Sequence, residues 1–193
     1  MLKIAVLLSG SGRTLDNFHQ HIEKQDLDCR IEVVISNVAD VLGLKKAQNY
    51  GYPSFYAEDN ESINSILANF KVDVICLAGF IKLYHPPVEL KRAVVNIHPS
   101  LIPSFCGAGF YGHHVHEAVR AKGCLVSGCT VHFANDQFDD GPIIWQKAVQ
   151  LDWDDDADSI AGKVFAAECE AFPKALQLIN DRGTEFFWKR VGQ

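Results

Sequence analysis

The segment Val94-Val95-Asn96-Ile97-His98 reads as extended chain, and side chains two apart on a strand project from the same face, so Asn96 and His98 converge. A neutral amide donor beside an imidazole can stabilise an oxyanion and move a proton. The plainer alternative is that Asn96 caps a loop and His98 is a satisfied, half-buried histidine. Pro99 and Pro103 restrain the backbone just beyond. Further on, Asp139 and Asp140 precede Gly141-Pro142 between two apolar runs. They are either turn formers or an acid held beside something cationic. A carboxylate next to His98 would raise the imidazole pKa and favour its protonated, donating form.

A second candidate is Ser9-Gly10-Ser11-Gly12-Arg13-Thr14, which follows the first apolar run and opens a helix pattern. Free backbone N–H groups and the helix dipole suit an anion there, and the glycines let a phosphate approach closely. No Gly-Lys-Ser/Thr follows, so it is not a P-loop. Leu15 stands where a dinucleotide fingerprint needs its third glycine. The competing reading is a plain strand-to-helix turn with Thr14 near the N-cap. His113, His114, His116 and His132 lack the carboxylate or Cys that would complete a metal set, so no metal is expected; His114 or His116 could line a substrate pocket. The acidic run over residues 152–158 lacks EF-hand spacing and reads as a solvated helix N-terminus. Trp145, Trp153 and Trp188 are expected to pack on the sheet or the closing helix.

These residues need elements to hold them. Apolar runs over 3–8, 31–36, 72–78 and 93–97 alternate with helical patterns over 15–24, 41–50 and 62–70, which means βαβ units and a parallel sheet covered on both faces. A helix near 114–122, strands over 125–134 and 143–149, and a closing helix over 156–181 follow. The fold class is therefore α/β: a Rossmann-like, mostly parallel twisted sheet with helices on both faces and an antiparallel extension in the C-terminal half. Such sheets bind ligands beyond the carboxyl ends of their strands, where the loops at 9–14, 79–84 and 96–103 fall.

With 193 residues, 48% of them hydrophobic, one domain over 1–193 is expected, and no disulfide or structural metal is needed to hold its core. The net charge of −6 with scattered Lys and Arg argues against nucleic-acid or membrane-surface partners. Six cysteines without a C-x-x-C pair, and no long apolar segment, read as a cytoplasmic protein with reduced thiols. An anionic ligand would have to be held by a small local device.

Asn96-Ile97-His98-Pro99-Ser100-Leu101-Ile102-Pro103 with Asp139-Asp140-Gly141-Pro142 resembles the folate-dependent formyltransferases. The similarity extends to the Ser-Gly-x-Gly loop, Leu77-Ala78-Gly79-Phe80, Gly128-Cys129-Thr130-Val131-His132-Phe133, and Glu168 ahead of Pro173 in the last helix. The resemblance implies formyl transfer from 10-formyltetrahydrofolate, without a metal, to the amine of 5-phosphoribosylglycinamide. An amino-sugar nucleotide or other small amine is the alternative acceptor. It implies Asn96, His98 and Asp139 as the catalytic trio, with protonated His98 and Asn96 donating to the oxyanion. Gly12, Arg13 and Thr14 would hold a substrate phosphate, Glu168 would help position the amine or ribose, and Ile81, Lys82, Leu83 and Tyr84, with Asn96, would line the pterin pocket, the 81–84 segment mainly through its backbone. Partners would be small molecules, and the protein a monomer or homodimer. Arg13-Thr14 replaces the usual Ser-Asn of that family, the loop over 105–112 is longer than is common, and Asp140 replaces a common glycine.

Overall fold

The computed structural model describes residues 1–192. Seven strands form one sheet in the order β3-β2-β1-β4-β5-β6-β7. They are β1 (Leu2–Leu8), β2 (Cys29–Ser36), β3 (Ser54–Tyr56), β4 (Val74–Leu77), β5 (Val94–His98), β6 (Val126–Phe133) and β7 (Ile143–Gln150). The first five pair in parallel, and β6 and β7 add antiparallel strands beside β5. The helices are α1 (Arg13–Glu23), α2 (Leu42–Asn49), α3 (Asn60–Leu67), α4 (His113–Lys122), α5 (Ala157–Arg182) and α6 (Thr184–Arg190). This is the mostly parallel α/β sheet with an antiparallel extension that the alternation predicts.

Both sheet faces are covered, and β1 shows why its sequence is an unbroken apolar run. Ile4, Val6 and Leu8 pack with Leu15 and Phe18 of α1 and Phe172 of α5, while Ala5 and Leu7 point the other way, into a second core with Ile63 and Leu67 of α3. Each large side chain so buried contributes roughly 1.5–3 kcal/mol. Phe18 meets Phe172 edge-on at 4.9 Å, which fixes α1 against α5. The chain winds outward in opposite directions from β1, to β2 and β3 on one side and to β4 and β5 on the other, so the loops after β1 and β4 part and leave a crevice.

Two elements escape a pattern reading. β3 is three residues long with Phe55 and Tyr56 exposed, so it carries no burial signature. Helix α6 follows Gly183 (φ 75°) and buries Phe187 and Trp188 beside Phe133. Helix α5 runs through Pro173, which is buried. Its N-cap is Asp156, whose carboxylate accepts from the Ser159 N–H at 2.8 Å. Trp153 departs from expectation: at 84% exposed it packs on neither sheet nor helix, because it sits in an aspartate-rich turn ahead of α5.

Candidate active site

Asn96 and His132 are directly opposed in the antiparallel register of β5 and β6, and His98 lies opposite Thr130. Cross-strand neighbours of this kind are within side-chain reach. His132 Nδ1–H donates to the Phe133 carbonyl oxygen (2.9 Å), which leaves its Nε2 lone pair to accept from Asn96 Nδ2–H at 3.3 Å. The same Nε2 lies 3.5 Å from Asp139 Oδ1.

Asp139 stands in the β6–β7 loop in a left-handed conformation (φ 57°), and its side chain is 9% exposed. Its Oδ2 accepts the Gly107 N–H at 2.9 Å and lies 3.3 Å from His98 Nδ1. Burial pushes the Asp139 carboxyl upward, but His132, the Gly107 N–H and the His98 charge together hold it below its ordinary value. Asp140 is exposed and bonded to Asn135 Nδ2, away from His98.

The expected rise in the His98 pKa does not occur. Burial pulls the imidazole below its ordinary value, more strongly than Asp139 and the Phe105 carbonyl pull it up. His98 is 3% exposed, with Nε2 2.8 Å from the Phe105 oxygen and Nδ1 facing Asp139. Both ring nitrogens therefore face acceptors. A resting neutral ring satisfies one of them, and a second proton would find its partner already in place. The segment that supplies the Phe105 carbonyl is itself anchored. Thr130 Oγ1 donates to Ser100 O (2.7 Å) and accepts the Ile102 N–H (3.0 Å), and Ser100 Oγ donates to Ser104 O.

Across the crevice, Gly12 rather than Thr14 is the N-cap of α1, in a left-handed conformation with no side chain capping the helix. A Cβ at Gly12 would fall 2.7 Å from Gly43 Cα, so both the φ of 70° and the close approach of α2 require glycine. The first-turn N–H groups are left for a ligand or water. Arg13 is exposed, with its guanidinium carbon over the Phe165 ring, 4.1 Å from the centroid. Glu168, one turn further along α5, is half-buried; burial pushes its carboxyl up to about 7, against the pull of Arg13.

The loop after β4 joins this site through Ser9. The Ser9 N–H donates to Gly79 O (3.2 Å), and its hydroxyl accepts the Ile81 N–H (3.0 Å) while donating to Asn37 Oδ1. Ile81 and Leu83 are exposed, and Lys82 Nζ donates to Glu58 O at 3.0 Å. Tyr84 turns its side chain into the second core and donates to Asn64 Oδ1 (2.7 Å). Among the described residues no group of three or more His, Cys, Asp or Glu side chains could hold a metal, and no helix is long and apolar enough to cross a membrane.

Residues 2–176 match the formyl transferase family. The chain belongs to that family. Among relatives, it is 38% identical over 189 residues to the trifunctional purine biosynthetic protein adenosine-3 of Gallus gallus, covering 92% of this chain and 18% of that protein. It is 33% identical to the chloroplastic phosphoribosylglycinamide formyltransferase of Vigna unguiculata, over 98% of this chain and 64% of the relative. The chain thus spans under a fifth of the first relative and under two thirds of the second. Among solved structures, the phosphoribosylglycinamide formyltransferase of Anaplasma phagocytophilum superimposes with a TM-score of 0.84 at 36% identity, over 92% of this chain and 86% of that one.

In this formyl transferase fold, Asn96, His98 and Asp139 lie together at the ends of β5 and β6. Gly12, Arg13, Thr14 and Glu168 gather at the α1–α5 junction, and residues 81–84 are tied to the first loop by Ser9. His132 is the site residue that sequence reasoning grouped wrongly, with a hypothetical metal set. It is instead the link between Asn96 and Asp139. His113 and His114 are exposed, with carboxylate partners at Asp158 (3.7 Å) and Glu117 (3.1 Å), whereas His116 is buried and its Nδ1 has no partner among the described residues.

Proposed function

We propose that this chain transfers the formyl group of 10-formyltetrahydrofolate to the amine of 5-phosphoribosylglycinamide, a step of purine biosynthesis. The observation that carries the reading is Asp139 set between His98 and His132, with Asn96 held beside them, at strand ends across from the uncapped N-terminus of α1. The folate supplies an activated formyl carbon; the chain supplies the rest. Asn96 keeps an amide N–H for the oxyanion that develops when the amine attacks. His98 takes the amine's proton, Asp139 steadies the imidazolium so formed, and that proton passes to the folate nitrogen as its bond to the formyl carbon breaks and tetrahydrofolate leaves. Gly12, Arg13 and Thr14 hold the acceptor's phosphate, Glu168 faces its ribose or amine, and the backbone of residues 81–84 lines the pterin pocket. The reaction needs small-molecule partners only, and the protein acts in the cytoplasm as a monomer or homodimer.

The exposed Arg13 and the glycine-rich loop over 105–112 favour one second reading, an amino-sugar nucleotide as acceptor. The test is purified protein with formyl-folate and each acceptor in turn, following loss of formyl-folate. Turnover with phosphoribosylglycinamide is the expected result. Turnover with the sugar nucleotide alone overturns the acceptor assignment, and none with any amine overturns the activity.

A further inference from the structure

Helix α5 turns one stripe toward α1. Phe165, Glu168 and Phe172 are spaced at i, i+3 and i+7, so they share a face. Phe172 meets Phe18 and fixes the spacing of the two helices, while Phe165, two turns earlier, carries the Arg13 guanidinium at 4.1 Å. Arg13 is the first residue of α1, beside the N–H groups that no side chain caps. It makes no ion pair among the described residues, although the chain holds 24 acidic side chains.

We infer that Phe165 is a positioning residue for the acceptor's phosphate: its ring holds the Arg13 guanidinium beside the open N-terminus of α1 without neutralising it. The inference rests on the formyl-transfer reading and names what makes that site select a phosphorylated amine. A cation near an anion site can be oriented in two ways. A carboxylate partner would fix it and cancel its charge, which an acidic protein cannot spare. An aromatic face fixes the guanidinium plane by cation–π attraction and leaves its N–H edges free to fork a phosphate. Glu168 is the nearby acid, and with burial raising its carboxyl to about 7 it is only partly charged at neutral pH. The uncapped amides, the unpaired guanidinium and the weakened carboxylate all favour the same ligand, a phosphate monoester dianion.

The experiment is a double-mutant cycle with Phe165→Leu and Arg13→Ala, plus Phe165→Tyr, which keeps a π face. Three quantities are measured: KM for phosphoribosylglycinamide, kcat, and inhibition by inorganic phosphate competing with the amine. Phe165→Leu should raise that KM and weaken phosphate inhibition about two- to fivefold with kcat unchanged. Phe165→Tyr should behave as wild type, and Phe165→Leu should add nothing once Arg13 is Ala. A wild-type KM in Phe165→Leu, or the same fold-change in both Arg13 backgrounds, overturns the inference and leaves the activity standing. If wild-type protein turns over no phosphoribosylglycinamide, the activity reading fails. Calorimetric binding of inorganic phosphate to the same four proteins of the cycle then decides the Phe165–Arg13 pairing by the same pattern.

Discussion

Replacing Asp139 with asparagine preserves the side chain's shape and removes its charge, so it isolates what the carboxylate does. Oδ2 faces His98 Nδ1 at 3.3 Å and takes the Gly107 N–H at 2.9 Å, in a pocket that leaves the side chain 9% exposed. The Gly107 bond survives in the amide. What is lost is the ionic partner of an imidazole that gains a proton during the reaction. A hydrogen bond to a charged group is worth about 1.5–3 kcal/mol, and lost in the transition state this lowers kcat about 10- to 150-fold. KM for both substrates should stay near wild type, because the contact strengthens only as charge develops. The same carboxylate also links stability to pH. Its folded pKa lies below the ordinary value, so its contribution is complete above about pH 4 and is lost as pH falls through the lower folded value. Wild type should therefore be the more stable protein at pH 7 in urea unfolding, and the two should converge in acid. Asp140→Asn, at an exposed residue facing Asn135, is the control and should keep wild-type kinetics. The reasoning is refuted if Asp139→Asn retains kcat within a factor of about three, or if Asp140→Asn costs as much.

Two further outcomes follow from the site. His132→Leu removes the acceptor for Asn96 Nδ2 and should lower kcat up to about tenfold, with partial recovery in His132→Gln, which restores an acceptor; steady-state kinetics of the two variants side by side decide it. Glu168 has its carboxyl raised to about 7, so the folded state holds a proton that the unfolded state releases near pH 4.5. Stability should fall as pH rises from about 4.5 to 7 and then level off, and Glu168→Gln should unfold at higher urea above pH 7 by on the order of 1–3 kcal/mol, a difference that vanishes in acid.

The sheet is legible because β1, β2, β4 and β5 are buried on both faces and so appear as apolar runs between helix patterns. The convergence of Asn96 and His98 needs only the two-residue strand period. His132 is another matter: it meets Asn96 through the β5–β6 register, which joins residues 36 positions apart and leaves no trace in either segment alone. The available signal was a histidine inside the buried strand Gly128-Cys129-Thr130-Val131-His132-Phe133. The direction of the His98 shift is hidden from the sequence for a related reason. A carboxylate neighbour can be guessed from sequence, and it does pull the imidazole up, but the burial that outweighs it depends on loops whose paths cannot. Thr14 looked like the natural cap, yet the left-handed Gly12 starts the helix a turn position earlier, a choice imposed by the approach of Gly43.

Ser9 gives the crevice a property that belongs to neither of its walls. Its backbone grips Gly79, and its hydroxyl takes the Ile81 N–H while pointing its own proton at Asn37, so three strand ends meet on one side chain. The loop after β1 and the loop after β4 are thereby a single calibrated gauge. Whatever rests on one is held at a set remove from whatever rests on the other, and that remove is written in the main chain. A pair of ligands that fits each wall separately but spans the wrong length would be refused by measurement before any proton or charge is tested.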